Sequence, residues 1–157
     1  MASTTQTMRA VHTTGVPDAP IIIVDAAVPA PAADQALVRV HAISLNAGEL
    51  RRSRKAQPGH PIGWDFAGTV ERAAADGTGP AAGARVVGFV GAGAWADYVA
   101  APTHQLGVLP RGVAFHDAAT LPVAGLTALR TLRRGGDLRA KAVLVVPGTG
   151  GVGPISP

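Results

Sequence analysis

Glycines near the carboxyl end of the sequence are spaced for binding a dinucleotide. They are Gly148, Gly150, Gly151 and Gly153, and they follow an apolar run at residues 142–146. Such glycines let the backbone turn tightly after a strand and approach a pyrophosphate, which lies at the N-terminus of the next helix. Residues 154–157 make about one turn, so we expect no helix after this loop. The pattern predicts the start of a dinucleotide-binding unit without its remainder.

Cysteine and metal chemistry are not expected. The sequence has no cysteine, which excludes disulfides, thiol nucleophiles and cysteine metal sites and favours the cytoplasm. The separations of the five histidines resemble no metal-ligand spacing, so we predict no metal site. The histidines are His12, His41, His60, His104 and His116.

The net charge of +4 is concentrated in two basic clusters, at residues 51–55 and 130–141. No aromatic residues alternate with these cations to stack on bases, so nucleic-acid binding is not predicted. Solvated helix ends account for both clusters, and a phosphate-bearing ligand is the alternative use of the first. No apolar run reaches the length needed to span a membrane.

Short apolar segments bounded by glycine and proline predict a partly open β-barrel. They lie at residues 9–13, 21–25, 36–45, 68–72, 85–90, 94–100 and 105–109. Residues 36–45 form the clearest strand, and alternation predicts one face with Val38, Val40 and Ala42 and an opposite face with Arg39 and His41. The fold class is therefore mainly β, within the α+β class.

The remaining elements are helical, apart from one further strand. A short helix over residues 46–52 is capped by Asn46. A longer helix begins near His116, with Val123, Leu126, Leu129 and Leu132 at near-helical spacing, and ends at Gly135–Gly136. The run at 142–146 predicts a strand buried on both faces in a second domain. We place the domains at residues 1–117 and 118–157.

Six segments in the same order resemble the zinc-free branch of the medium-chain dehydrogenase/reductases, the quinone oxidoreductase and enoyl reductase group. They are residues 38–46 (VRVHAISLN), 63–68 (GWDFAG), 83–88 (GARVVG), 93–99 (GAWADYV), 121–128 (LPVAGLTA) and 148–153 (GTGGVG). Their common order is more specific than a single glycine motif. The resemblance implies a GroES-like barrel, then one substantial helix and the first strand of a truncated Rossmann domain.

The resemblance implies zinc-independent chemistry with NADPH. Zinc-dependent relatives place a cysteine and a histidine where this sequence has Asn46 and Trp64, and neither is a workable zinc ligand. In zinc-free relatives the residues matching Asn46 and Thr127 lie beside the cofactor, and the glycines at 148, 150, 151 and 153 match the pyrophosphate loop. The family's other nucleotide-binding residues follow that loop, so we expect this chain not to bind NADPH alone.

The resemblance also brings Asn46, Glu49, Trp64 and Asp65 into one cleft. Two nearby carboxylates can differ in pKa and serve as acid and base. The alternative is that Glu49 and Asp65 bond to local backbone or arginines and have a structural role only.

Three functions follow from these observations. The first is the N-terminal part of an NAD(P)H-dependent oxidoreductase that reduces quinones or activated alkenes. The second is a cofactor-independent cyclase, isomerase or dehydratase that uses Glu49 and Asp65 on a small-molecule substrate held against Trp64. The third is a non-catalytic assembly module, in which residues 142–146 pair with a second copy or a second polypeptide.

Overall fold

A computed structural model describes residues 6–146 and 148–155. Its strands are β1 (Thr7–Thr13), β2 (Ile21–Ala27), β3 (Gln35–Ile43), β4 (Asp65–Arg72), β5 (Arg85–Phe89), β6 (Tyr98–Pro102) and β7 (Leu106–Val108). Its α-helices are α1 (Ala47–Ser53), α2 (Phe115–Ala119) and α3 (Leu126–Arg134), and a π-helical segment, Leu121–Gly125, leads into α3. No helix in the described part of the chain is long and apolar enough to cross a membrane.

The strands form a curled sheet that makes half a barrel, as the sequence predicts. Five of them pair antiparallel in the order β6-β3-β4-β5-β7. β1 and β2 form a separate hairpin, and β1 joins the barrel through bridges from Ala10 to Ala96 and from His12 to Pro61. All seven predicted barrel strands are present, although β4 begins earlier than predicted, at Asp65, and β6 begins later, at Tyr98.

The two faces of the sheet bury different side chains. Phe66, Val70, Val86 and Trp95 belong to the main core inside the barrel. On the other face, Ala67 packs with Ala118 and Ala119 of α2. Alanines on both elements allow the helix to approach the sheet closely, so α2 lies directly on β4. The proposed domain boundary at residues 117 and 118 remains a prediction.

One prediction about β3 is wrong. The register between β3 and β4 shifts between Val40 and Ala42, which leaves His41 without an opposite residue. Such a bulge interrupts the alternation of the strand. Val38 and Val40 therefore pack in the main core, whereas Ala42 packs with the alanine cluster on the other face.

The helices lie where the sequence predicts them, although the longer helix is not continuous. α1 begins after Asn46, which occupies its N-cap position. The predicted longer helix is divided into α2, the π-helical segment and α3. α3 ends at Arg134 with Gly135 in the C-cap position, and Gly136 then adopts a φ of 73°.

The predicted strand at residues 142–146 does not form. A strand needs a hydrogen-bonded neighbour, and no described segment pairs with this run. Leu144 is 88 % exposed and Val146 is 77 % exposed, where a strand buried on both faces was expected. The glycine loop continues as turns and ends in one 3₁₀ turn, Gly153–Ile155.

Candidate functional site

The structure brings Asn46 and Asp65 into direct contact. Ile43 at the end of β3 pairs with Phe66 in β4, so the residues that follow β3 lie beside the first residue of β4. The Asn46 amide donates a hydrogen bond from Nδ2 to Asp65 Oδ2 at 3.0 Å. Asn46 is half-buried and Asp65 is fully buried. The amide nitrogen of Asn46 is thus bound to an internal carboxylate.

Glu49 ties α1 to the segment before β4. Its Oε2 accepts a hydrogen bond from the Asn46 backbone N–H, and its Oε1 accepts one from the Trp64 backbone N–H, both at 2.6 Å. The side chain has no solvent exposure. Both oxygens of the carboxylate therefore accept hydrogen bonds from backbone amides, and these bonds connect the start of α1 to the segment before β4.

Asp65 is in a different electrostatic position. Its Oδ1 is buried and has no hydrogen-bond partner among the described residues. Burial disfavours the ionised form and raises the pKa of Asp65 to about 6. The Asn46 amide and the Val123 backbone amide oppose that increase, and the Glu49 charge adds to it. Asp65 therefore changes protonation in the range where many enzymes work.

Trp64 forms a wall beside the start of α1. Its ring lies against Gly48, where an added Cβ would come within 2.8 Å of Cη2. The Trp64 carbonyl also accepts a hydrogen bond from the Val90 N–H at 2.9 Å. Sequence reasoning did not single out Gly48, although a glycine within a helix is a signal of close packing.

Thr127 joins this cluster indirectly, through the π-helical segment. Its hydroxyl donates to the Val123 carbonyl at 2.5 Å, and the Val123 amide faces Asp65. The sequence predicted a regular helix here and missed the role of Val123. Pro122 was the available signal, because proline disturbs a helix interior.

Thr127 and Val123 also line an open groove of about 860 Å³. Most of its lining is apolar, and Arg130 is its one residue with a permanent charge. Lining side chains include Phe89, Leu106, Leu121, Leu126, Leu129 and Ile155. Asn46, Glu49, Trp64 and Asp65 do not line this groove, so the polar cluster and the groove are separate features.

The predicted pyrophosphate loop lies near the same groove. Ile155, just after the loop, lines the groove and approaches Gly125, where an added Cβ would be 3.9 Å from its Cγ2. No strand precedes the loop in the described residues, and only a single 3₁₀ turn follows it. The described residues therefore do not form the cradle of backbone amides at a helix N-terminus that a pyrophosphate requires.

His41 and His60 contact aromatic and polar groups. The His41 ring stacks on Phe115 with centroids 4.6 Å apart, and its Nε2 lies 3.2 Å from Thr69 Oγ1. His60 Nδ1 lies 3.1 Å from the Gln57 carbonyl. Within residues 6–146 and 148–155, no three histidine or carboxylate side chains come together as a metal site.

Comparison with known proteins identifies the barrel. The model of the alcohol dehydrogenase GroES-like domain matches residues 32–111. A quinone oxidoreductase of Pongo abelii is 33 % identical over 162 residues, which cover 98 % of this chain and 49 % of that protein. The chain thus spans about half the length of this relative.

Solved structures show the same fold with different chemistry. A quinone oxidoreductase from Coxiella burnetii has a TM-score of 0.88 at 29 % identity, over 96 % of this chain and 52 % of its own. A mycobacterial protein in complex with NADPH has a TM-score of 0.82 at 30 % identity, over 95 % of this chain and 48 % of its own. A cobalt- and zinc-bound alcohol dehydrogenase from Pyrobaculum aerophilum has a TM-score of 0.86 at 26 % identity, over 96 % of this chain and 55 % of its own. Fold likeness alone thus leaves both metal-dependent and other chemistry open.

Proposed function

Because the chain belongs to the medium-chain dehydrogenase/reductase superfamily through its alcohol dehydrogenase GroES-like domain, we propose that it supplies the substrate-binding part of an oxidoreductase. This enzyme is zinc-independent, uses NAD(P)H and reduces quinones or activated alkenes. The quinone oxidoreductases among its relatives support that substrate class. The lack of cysteine supports a cytoplasmic location.

The Asn46–Asp65 contact is the observation that carries the proposal. Zinc-dependent relatives need ligands at the positions of Asn46 and Trp64. Here the Asn46 amide donates to a buried carboxylate, and the Trp64 ring packs on Gly48. An amide nitrogen engaged in this way and an indole ring do not provide zinc ligands. We infer that the Asn46–Asp65 cluster works without zinc.

The described residues do not fit the diphosphate of a nucleotide, because the loop lacks both its strand and its helix. We infer that NAD(P)H binding requires further polypeptide, which supplies a sheet around residues 142–146. The contribution of this chain is then to hold the Asn46 side chain in position. Asp65 is buried and holds the Asn46 amide in one orientation, so it acts as a positioning residue.

A second candidate function depends on Asp65 itself. A buried carboxyl group with an unpartnered oxygen and a pKa of about 6 can hold a proton near neutral pH. That property favours a cofactor-independent proton-transfer enzyme, such as an isomerase or dehydratase. Glu49 has no part in this version, because both of its oxygens bind backbone amides.

Tryptophan fluorescence during titration with NADPH tests the need for further polypeptide. The chain alone is expected to show no saturable change. Trp64→Phe is the matched control, since it leaves the buried Trp95 as the remaining reporter. A saturable signal from the chain alone that Trp64→Phe removes would contradict this part of the proposal.

Activity is tested in a chimera, in which residues 6–141 replace the matching part of a quinone oxidoreductase. The chimera is expected to reduce a quinone with NADPH, to keep its activity in a chelator, and to lose activity about tenfold or more with Asn46→Ala. A folded chimera that binds NADPH without reducing quinone contradicts the proposed reaction. Loss of activity in the chelator contradicts zinc independence.

A further inference from the structure

The outer edge of the β1–β2 hairpin is an unpaired, apolar strand. β2 pairs with β1 over its whole length, and its other edge has no partner strand among the described residues. Ile21, Ile22 and Ile23 are 38 %, 53 % and 68 % exposed. The strand contains no proline or lysine, the residues that commonly protect such edges. This edge can accept another strand.

Residues 141–146 form a second unpaired feature. Val143, Leu144 and Val146 are 48 %, 88 % and 77 % exposed, and the run is rich in β-branched residues. Lys141, at its start, is also exposed and makes no ion pair within the described chain. The segment has the composition of a strand, but no strand among the described residues pairs with it.

We propose that residues 141–145 of one copy add antiparallel to β2 of a second copy. One register places Lys141 opposite Asp25, Val143 opposite Ile23 and Val145 opposite Ile21. Asp25 is exposed and unpaired among the described residues, because Arg9, its neighbour on β1, pairs with Asp97 instead. The alignment joins a free anion to a free cation, and it places valines opposite Ile21 and Ile23 and Leu144 opposite Ile22.

The pairing of Lys141 with Asp25 also favours the antiparallel direction for the added strand. A parallel alignment with Lys141 opposite Asp25 places Val143 opposite Ala27, at the end of β2. It therefore leaves Ile21, Ile22 and Ile23 uncovered. Only the antiparallel alignment satisfies the charge pair and the apolar edge together, with backbone hydrogen bonds along the new pair of strands.

The contact joins two different surfaces, so each copy carries one donor segment and one acceptor edge. Two copies can exchange segments reciprocally, or several copies can join in a row. In both cases the assembly depends on protein concentration. A second polypeptide that provides a sheet for residues 142–146 would compete with this use of the segment.

Charge exchange tests the register. In sedimentation equilibrium, Asp25→Lys and Lys141→Asp are each expected to weaken association about fivefold, and the double variant to restore most of it. Circular dichroism checks that each variant is folded. A strict monomer at all concentrations overturns the proposal, as does a double variant that associates no better than the single variants.

Cysteine cross-linking tests which residues are opposite each other. The chain has no cysteine of its own, so introduced thiols are the only ones. An Ile23→Cys chain mixed with a Val143→Cys chain is expected to form a mixed disulfide, because opposite side chains on one face lie within bonding reach. Ile22→Cys is the matched control, since its side chain points to the other face.

The proposal is overturned if Ile22→Cys cross-links as well as Ile23→Cys. It is also overturned if Val143→Cys chains link mainly to each other, which would mean that the segment pairs with itself. An Ile23→Cys/Val143→Cys double variant that closes only within one chain contradicts pairing between copies.

Discussion

The Asn46–Asp65 cluster and the glycine loop belong to one family pattern, yet only the cluster is organised in this structure. The contacts of the cluster lie between α1 and the beginning of β4, and both elements are held by the barrel. The loop depends on a strand at residues 142–146, which has no described neighbour. Local contacts within one chain suffice for the first region, whereas the second needs other strands.

The difference separates two kinds of site. The hydrogen-bonding groups of a capped helix or a buried carboxylate find partners a few residues away in the sequence or on a neighbouring strand. A parallel strand forms its backbone hydrogen bonds only within a sheet. A pyrophosphate loop takes its shape only when a strand precedes it and a helix follows it. The barrel region should therefore respond strongly to substitution, and the region after Gly136 weakly.

Gly63→Ala should have the largest effect on stability. Gly63 has a φ of 106°, and a Cβ there would overlap the ring and backbone nitrogen of Trp95. We expect a loss of about 3–5 kcal/mol in the free energy of unfolding, measured in urea. Gly151→Ala is the control: nothing lies within 4 Å of the added Cβ, and a change below about 0.5 kcal/mol is expected. Equal effects at the two positions would contradict the contrast between the regions.

Glu49→Ala should have the next largest effect. It leaves the backbone amides of Asn46 and Trp64 buried without acceptors, which costs about 2–4 kcal/mol. Glu49→Gln keeps one acceptor oxygen and should lose about half as much. A Glu49→Ala chain as stable as the wild type would show that these two bonds do not hold α1 in place.

Asp65 should make stability depend on pH. Its pKa rises from 3.8 to about 6 on folding, so the folded state binds more protons than the unfolded state between these values. Stability contributed by the protonated form is thus present below about pH 4 and is lost as pH rises through about 6, by up to about 3 kcal/mol.

Asp65→Asn removes this titration. We expect the pH dependence between about pH 4 and pH 7 to become flatter in urea unfolding series. An unchanged slope in the variant would assign the pH dependence to other groups and contradict the raised pKa of Asp65.

Leu144→Ala should have the smallest effect. Leu144 is 88 % exposed, so a change below about 0.5 kcal/mol is expected in dilute solution. Val70→Ala, with 1 % exposure in the barrel core, is the comparison and should lose about 2 kcal/mol. A large loss with Leu144→Ala in the monomer would mean that residues 142–146 are packed after all.

Much of the barrel could be predicted from alternation and turn residues, and Asn46 could be recognised as a helix cap. The contacts of Asn46 with Asp65 depended on the register of β3 and β4, which the family resemblance supplied and local pattern did not. Ala42 was placed on the wrong face, because a bulge has no clear signature in a run such as VRVHAI. The strand at 142–146 was predicted from composition, and composition does not show whether a sheet is present.

Amide hydrogen exchange, at a concentration where the chain is monomeric, tests the central contrast most directly. The Asn46 and Trp64 amides, both bound to Glu49, are predicted to exchange only when the whole barrel unfolds, whereas the amides of residues 142–146 exchange almost as in an unfolded chain. Protection of residues 142–146 in the monomer, or rapid exchange at Asn46 and Trp64, would contradict the account.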